Sequence, residues 1–162
     1  MKKEIKVRIA EYKVTKGPNR LITMGLGSCV GIGIYDQYVT SFGGLAHIML
    51  PDSRQFKKQS KLEKFADLAI PQMVQDLFAL GIRKKHMVAK IAGGASMFQY
   101  SDKSLNLDIG SRNIKAVREV LIDLGIPIIA EDVGGNSGRT MILDLEDKTV
   151  QIKKVGVGIT YL

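Results

Sequence analysis

Residues 21–50 read LITMGLGSCVGIGIYDQYVTSFGGLAHIML, and this stretch decides the fold. Two apolar runs, residues 29–35 and 39–49, flank the turn-like pair Asp36-Gln37, so the pattern predicts a β-hairpin. In the first run, large aliphatic residues alternate with glycine at Gly31 and Gly33. A strand face made of glycine indicates that another element packs closely against it.

The one cysteine of the chain, Cys29, stands at the start of this hairpin, directly after Gly27-Ser28. A cysteine nucleophile needs a base, and histidine is the usual one. The chain has two histidines, and His47 lies in the second strand of the hairpin, whereas His86 follows a basic loop. Because the start of one hairpin strand lies opposite the end of the other, we expect Cys29 and His47 to be close. The alternatives are a small core cysteine and a buried, hydrogen-bonded histidine.

Three further residues could complete such a site. Successive backbone N–H groups at Gly27, Ser28 and Cys29 could hold an oxyanion, although a plain tight turn explains the same glycines. Thr23, on the preceding strand, has a hydroxyl that could accept a hydrogen bond from the imidazole of His47. Threonine is also a common strand residue, so this role is weakly supported by the residues alone.

Outside the hairpin, periodicity predicts further strands and two helices. The predicted strands cover residues 4–14, 21–24, 86–91, 127–133, 140–145 and 149–155, with a short final strand near residues 158–162. The first helix is predicted over residues 61–80 and ends at Gly81, with Pro71 expected to kink it or to start a second helix. The next helix is predicted to begin after Asp108 as N-cap and to end at Gly125.

This order of elements predicts the fold class. Hairpins come early and the helices fall later among strands, unlike the regular alternation of a doubly wound fold. We therefore predict a single α/β (α+β) domain over residues 1–162, with largely antiparallel or mixed sheets and two main helices.

Composition limits location and partners. The chain has 162 residues and no apolar run long enough to span a bilayer, and its start alternates charged and apolar residues, unlike a signal peptide. A single cysteine cannot form an internal disulfide, which favours the cytoplasm. The net charge of +8 is typical of a basic surface or of an acidic protein partner. Nucleic acid is a weaker interpretation, because no aromatic residues interleave with a basic run.

Two other glycine-rich stretches, residues 92–96 and 134–139, follow predicted strands. Neither has the Lys-Ser/Thr ending of a P-loop or dinucleotide-binding spacing, so we expect them to form turns and walls of the site. No group of Cys, His and carboxylate residues has metal-ligand spacing. The sequence thus predicts neither a cofactor nor a metal.

Five motifs, in order along nearly the whole chain, resemble the CheD family of bacterial chemotaxis proteins. They lie at residues 26–30, 46–52, 90–98, 109–113 and 130–136. The resemblance implies a three-layer α/β/β sandwich and a deamidase that converts receptor glutamine to glutamate and releases ammonia. It also implies a Cys–His–Thr site in which Cys29 is the nucleophile, His47 the base and acid, and Thr23 the residue that orients His47.

The resemblance implies the partners, and the chemistry of a cysteine nucleophile predicts the intermediate. The substrates would be methyl-accepting chemotaxis receptors, the reaction would pass through a thioester, and a glutamyl methyl ester could be cleaved by the same route. The chemotaxis phosphatase CheC would be a regulatory partner, and the isolated chain is expected to be a monomer. In an alternative interpretation the Cys–His site is mainly a docking groove, and the protein regulates the phosphatase or the receptor.

Overall fold

A computed structural model describes residues 1–56, 61–96 and 108–162 of the chain. In these residues there are two α-helices, α1 (Ala66–Ala79) and α2 (Ile109–Leu124). The strands are β1 (Glu4–Lys6), β2 (Glu11–Lys16), β3 (Arg20–Leu26), β4 (Val30–Asp36), β5 (Phe42–Ile48), β6 (Met87–Gly93), β7 (Ile128–Val133), β8 (Arg139–Asp144), β9 (Thr149–Lys154) and β10 (Gly158–Tyr161). Short 3₁₀ turns occupy Ser53–Gln55, Leu62–Lys64 and Lys84–His86. No helix in the described part is long and apolar enough to cross a membrane.

The strands form two five-stranded mixed sheets. The central sheet has the order β2-β5-β4-β6-β7 and the outer sheet the order β1-β3-β8-β9-β10. The β6–β7 and β1–β3 pairs are parallel and the other pairs are antiparallel. The predicted hairpin is the β4–β5 pair at the middle of the central sheet. The expectation of mixed sheets with two main helices is therefore confirmed.

Two apolar layers separate three layers of structure. One lies between the helices and the central sheet and includes Ile32, Ile48, Met73 and Val117. The other lies between the two sheets and includes buried residues such as Leu45. The burial of large apolar side chains on both faces of the central sheet supplies most of the driving force for this arrangement. The three-layer α/β/β sandwich is confirmed.

The glycine face of β4 lies between the sheets. A Cβ added to Gly31 would lie 2.8 Å from Sδ of Met141 on β8, and one added to Gly33 would lie 3.4 Å from the same side chain. A side chain at position 31 would require Met141 and Leu26 to shift, so glycine here favours the close approach of the outer sheet. The sequence prediction that another element packs on this face is confirmed, and the element is a second sheet.

Residues 4–14 do not form one strand, so that prediction is wrong. The chain turns at Ala10, which has a φ of 59°, and the segment divides into β1 in the outer sheet and β2 in the central sheet. The alternation of Ile5, Val7 and Ile9 changes phase at this turn, because the next large apolar side chains are Tyr12 and Val14. Ile9 is 50% exposed while Val7 is buried. Period-two alternation indicates a strand with one buried face. It does not reveal whether the chain crosses from one sheet to another.

The first helix begins later than predicted. Residues 62–64 form a 3₁₀ turn, Phe65 is extended, and α1 begins at Ala66 and runs through Pro71 without a new helix starting there. The second helix agrees with prediction at both ends. Asp108 accepts a hydrogen bond from the Ser111 N–H, and Gly125 ends the helix with a φ of 73°.

Candidate active site

Cys29 lies just before β4, where the two sheets meet the N-terminal end of α2. Its side chain is half-buried and packs against the apolar layer between the sheets. Burial raises the pKa of the Cys29 thiol, and its own backbone N–H opposes this to a smaller degree. The thiol is therefore protonated at neutral pH and needs a base before it can attack.

The backbone around Cys29 is held by three successive hydrogen bonds. The carbonyl of Gly27 accepts from the Ala95 N–H at 2.8 Å, and that of Cys29 accepts from the Gly94 N–H at 2.7 Å. Between them, the Ser28 carbonyl accepts from the side chain of Asn113 at 2.9 Å. A trans peptide holds each N–H opposite to the preceding carbonyl. These bonds therefore fix the directions of the Ser28 and Cys29 N–H groups.

His47 lies on β5 and faces the layer between the sheets. In the β4–β5 register it is directly opposite Gly31, so it is diagonal to Cys29. Diagonal neighbours have Cα atoms about 7–8 Å apart and lie within reach of long side chains. The hairpin is centred on Val39 and not on Gln37 as predicted, because Tyr35 pairs with Gly43. This shift leaves the two residues on the same face of the hairpin as diagonal neighbours, and their catalytic pairing stays a prediction.

The tautomer of His47 follows from a chain of hydrogen bonds. The Thr23 hydroxyl donates to the backbone carbonyl of Val7 at 2.7 Å, and its oxygen lies 2.6 Å from His47 Nδ1. A hydroxyl has one hydrogen, so Thr23 must accept from the imidazole, and the proton of His47 is on Nδ1. The other nitrogen, Nε2, then carries a lone pair. It is buried and has no hydrogen-bond partner among the described residues.

Burial sets the charge of His47. The side chain is fully buried, and desolvation lowers the pKa of His47 to about 4. Thr23 is neutral, so it cannot compensate an imidazolium as a carboxylate would. At neutral pH His47 is therefore an unprotonated base with its free nitrogen on the face of the sheet that Cys29 shares.

The low pKa of His47 makes stability depend on pH. The unfolded chain takes up this proton near pH 6.5 and the folded chain near pH 4, so stability is expected to fall as the pH decreases from 6.5 towards 4. Between pH 7 and pH 4.5 the free energy of unfolding is expected to decrease by about 2–3 kcal/mol because of His47. Denaturant unfolding of wild type and His47→Gln at both pH values measures it, because contributions from carboxylates cancel in the comparison. An equal pH dependence in both proteins would contradict the assignment of a buried neutral His47.

The structure thus places Thr23 and His47 in direct contact, with Cys29 diagonal to His47 in the β4–β5 register and next to the Gly27-Ser28 turn. His86 is remote, since it directly precedes β6 and its Nδ1 lies 3.8 Å from the carboxylate of Asp36, at the end of β4 opposite to Cys29. Among the described residues, no group of three His, Cys, Asp or Glu side chains could hold a metal ion.

Comparisons with known proteins identify relatives along almost the whole chain. The family model described as CheD chemotactic sensory transduction matches residues 49–154. A protein of Clostridium novyi (strain NT), named probable chemoreceptor glutamine deamidase CheD, is 57% identical over 98% of this chain and 97% of its own. The chain belongs to the CheD family. A Clostridium kluyveri protein of the same name is also 57% identical, over 97% of this chain and 96% of its own.

A solved structure is also similar in part. The crystal structure of Neisseria meningitidis protein NMB0706 matches with a TM-score of 0.49 and 9% sequence identity, covering 81% of this chain and 64% of that one.

The CheD family model begins at Met49, so Thr23, Cys29 and His47 lie outside the residues that it matches. They lie within the region over which the clostridial CheD proteins match almost end to end.

Sequence reasoning missed two groups that contact the candidate site of this CheD-family chain. The backbone carbonyl of Val7, which orients Thr23, carries no side-chain signal. Asn113 belongs to one of the five motifs but received no role. A signal for it existed, because Asn113 is a polar residue four positions before Val117 on the apolar face of α2.

The two other glycine-rich stretches lie at different distances from the Cys29 segment. The stretch at residues 92–96 supplies the Gly94 and Ala95 N–H donors, and a Cβ at Gly93 would collide with the Cys29 carbonyl oxygen. The stretch at residues 134–139 is one step further away, where the Gly135 carbonyl accepts from the Ser96 N–H. Residues 97 and 98 of the third motif lie outside the described residues.

Proposed function

We propose that this chain is a chemoreceptor glutamine deamidase, a hydrolase that converts receptor glutamine side chains to glutamate. The observation that carries the proposal is the hydrogen-bonded series from Val7 through Thr23 to His47, which leaves Nε2 unprotonated on the side of Cys29. A neutral base beside a half-buried thiol suits acyl transfer by a cysteine nucleophile. The names of the CheD relatives supply the substrate class.

The first step transfers the proton of the Cys29 thiol to Nε2 of His47 as sulfur attacks the glutamine carboxamide carbon. Both groups are neutral at rest, since burial raises the pKa of Cys29 and lowers that of His47. Proton transfer therefore accompanies the formation of the S–C bond. The Thr23 oxygen keeps its hydrogen bond to Nδ1–H while the ring becomes charged.

Negative charge then develops on the carboxamide oxygen, and the fixed N–H groups of Ser28 and Cys29 are suited to hold it. Their peptide planes are held by bonds to the preceding carbonyls, so the donors need no rearrangement during the reaction. Such preorganised donors are a large part of catalysis in acyl transfer. The turn before these donors uses Gly25, which has a φ of 73° and whose carbonyl accepts a hydrogen bond from the Gly27 N–H.

The C–N bond breaks next, and His47 returns its proton to the leaving nitrogen, which departs as ammonia. A thioester between Cys29 and the glutamyl carbon remains. His47 then removes a proton from water and the hydroxyl oxygen bonds to the acyl carbon. The C–S bond breaks, and His47 returns the proton to sulfur, which regenerates the thiol and leaves glutamate as product. A glutamyl methyl ester can enter the same sequence with methanol as leaving group, so a methylesterase side activity belongs to the proposal.

The hydroxyl of Thr23 can be tested by two conservative changes. Thr23→Val keeps the shape of the side chain but removes the acceptor for Nδ1–H, so it should lower kcat about 10- to 100-fold with little effect on KM. Thr23→Ser keeps the hydroxyl and should stay within about 3-fold of wild type. Steady-state deamidation kinetics measures both. Equal activity of Thr23→Val and wild type would show that Thr23 does not orient the base.

The partners and location follow from the same proposal. The substrates are methyl-accepting chemotaxis receptors, and a cytoplasmic site agrees with the chain's single free cysteine. Binding of the phosphatase CheC is proposed from the motif resemblance alone, and a monomer is taken as the default state of the isolated chain. The net charge of +8 favours acidic protein surfaces.

The test is mass spectrometry of a receptor cytoplasmic fragment incubated with the wild-type protein. Each conversion of –NH₂ to –OH adds about one dalton, and peptide sequencing identifies the glutamine that changed. A gain at defined glutamines supports the deamidase. No gain on any receptor fragment from the same organism would overturn it and favour a protein that only binds receptor or phosphatase.

A further inference from the structure

Asn113 is a buried polar side chain that touches both halves of the candidate site. It lies in the second turn of α2 and is fully buried. Its Nδ2 donates to the carbonyl of Ser28 and to the carbonyl of Met49, each at 2.9 Å. Ser28 precedes Cys29, and Met49 follows His47 by two residues. One carboxamide thus joins the segment of the thiol to the strand of the base.

We propose that Asn113 is a positioning residue that holds the Ser28–Cys29 peptide so that the Cys29 N–H points into the site as an oxyanion donor. This inference rests on the deamidase proposed above. In a trans peptide the Cys29 N–H is antiparallel to the Ser28 carbonyl, so the bond from Asn113 sets its direction. Asn113 itself does not touch the reacting atoms.

The three bonds that hold this segment are not equivalent. Those to the carbonyls of Gly27 and Cys29 come from backbone N–H groups of residues 94–95. The bond to Ser28 comes from a side chain, so a substitution can remove it alone. Both acceptors of Asn113 are carbonyl oxygens, which requires the –NH₂ end of the amide to face them and fixes its orientation.

Packing does not explain an asparagine at this position. The neighbouring positions on this face of α2, Ile114, Val117 and Leu121, belong to the apolar layer under the central sheet. The Oδ1 atom of Asn113 is buried and has no hydrogen-bond partner among the described residues. An apolar side chain would avoid that unpaired acceptor. The two donated bonds therefore account for the residue.

The helix that carries Asn113 is itself fixed against the site. Its first turn is capped by Asp108, and a Cβ at Gly110 would collide with the carbonyl oxygen of Ala95. Ala95 is the residue whose N–H holds the Gly27 carbonyl. The start of α2 thus approaches the Cys29 segment closely enough that a short side chain reaches it.

The test compares Asn113→Ala and Asn113→Asp with a control, Val117→Ala. Asn113→Asp is nearly isosteric with the wild-type side chain, so its rates serve as the test if Asn113→Ala does not fold. Val117 is fully buried one turn further along the same face, so its truncation creates a cavity without touching Ser28 or Met49. Two rates are measured for each folded protein: deamidation of the receptor fragment, and alkylation of Cys29 by iodoacetamide, which develops no oxyanion.

We expect both Asn113 variants to lower kcat about 10- to 100-fold, with KM and the alkylation rate within about 3-fold of wild type. Val117→Ala should keep kcat within about 3-fold. The proposal is overturned if the Asn113 variants deamidate as fast as Val117→Ala, or if alkylation slows as much as deamidation. A wild-type protein that is alkylated but deamidates no receptor fragment overturns the deamidase function itself, which is a separate result.

Discussion

Replacing Cys29 by alanine is expected to lower the rate of receptor deamidation by at least about 10³-fold while the protein stays folded. In the proposed mechanism no other group can form the acyl intermediate, because Cys29 is the one cysteine of the chain. The side chain is only half-buried, so its truncation leaves a small cavity. Mass spectrometry of the receptor fragment, with wild type and Cys29→Ala side by side, measures the effect.

A single cysteine provides an independent control for this prediction. Iodoacetamide should add one group per wild-type chain, at Cys29, and should inactivate the protein in proportion to the fraction labelled. Circular dichroism and thermal unfolding establish that Cys29→Ala is folded. If the folded variant deamidates at the wild-type rate, the thiol is not the nucleophile, and the neutral His47 would have to activate water directly.

The hairpin could be predicted because its signals are local. Alternation, two glycines on one face and a short polar turn are all visible within residues 29–49, and they were sufficient to bring His47 near Cys29. The caps of α2 at Asp108 and Gly125 were predictable for the same reason, since a cap depends on the residue at the helix end.

Features that depend on distant parts of the chain were not predictable. The alternation changes phase between Ile9 and Tyr12, which indicates a break near Ala10. It does not reveal that β1 and β2 join different sheets, because that depends on the strands with which each of them pairs. The sequence predicts that the first helix begins before Ala66, because Leu62 continues the helical spacing although it lies in a 3₁₀ turn. Thr23 shows the same limit, since its orientation depends on the carbonyl of Val7, sixteen residues away.

His47 carries the second large effect. His47→Gln is expected to lower deamidation by at least about 10³-fold and also to slow alkylation of Cys29 at neutral pH. Burial raises the pKa of the Cys29 thiol, so without a base nearby little thiolate forms at pH 7. The alkylation rate of the variant should rise with pH until the pH exceeds the pKa of the thiol. Wild type should react faster than the variant at pH 7, because Nε2 accepts the proton as sulfur attacks.

The other histidine offers a matched control. His86 packs edge-on against Tyr38 beyond the end of β4, about 20 Å along the strand from Cys29. His86→Gln therefore changes the same type of side chain without touching the site and should leave both rates within about 2-fold of wild type. Equal losses in the two variants would mean that either change disturbs the fold as a whole. Loss in His47→Gln alone, in deamidation and alkylation together, is the result that assigns proton transfer to His47, because a residue that only positions substrate would leave alkylation unchanged.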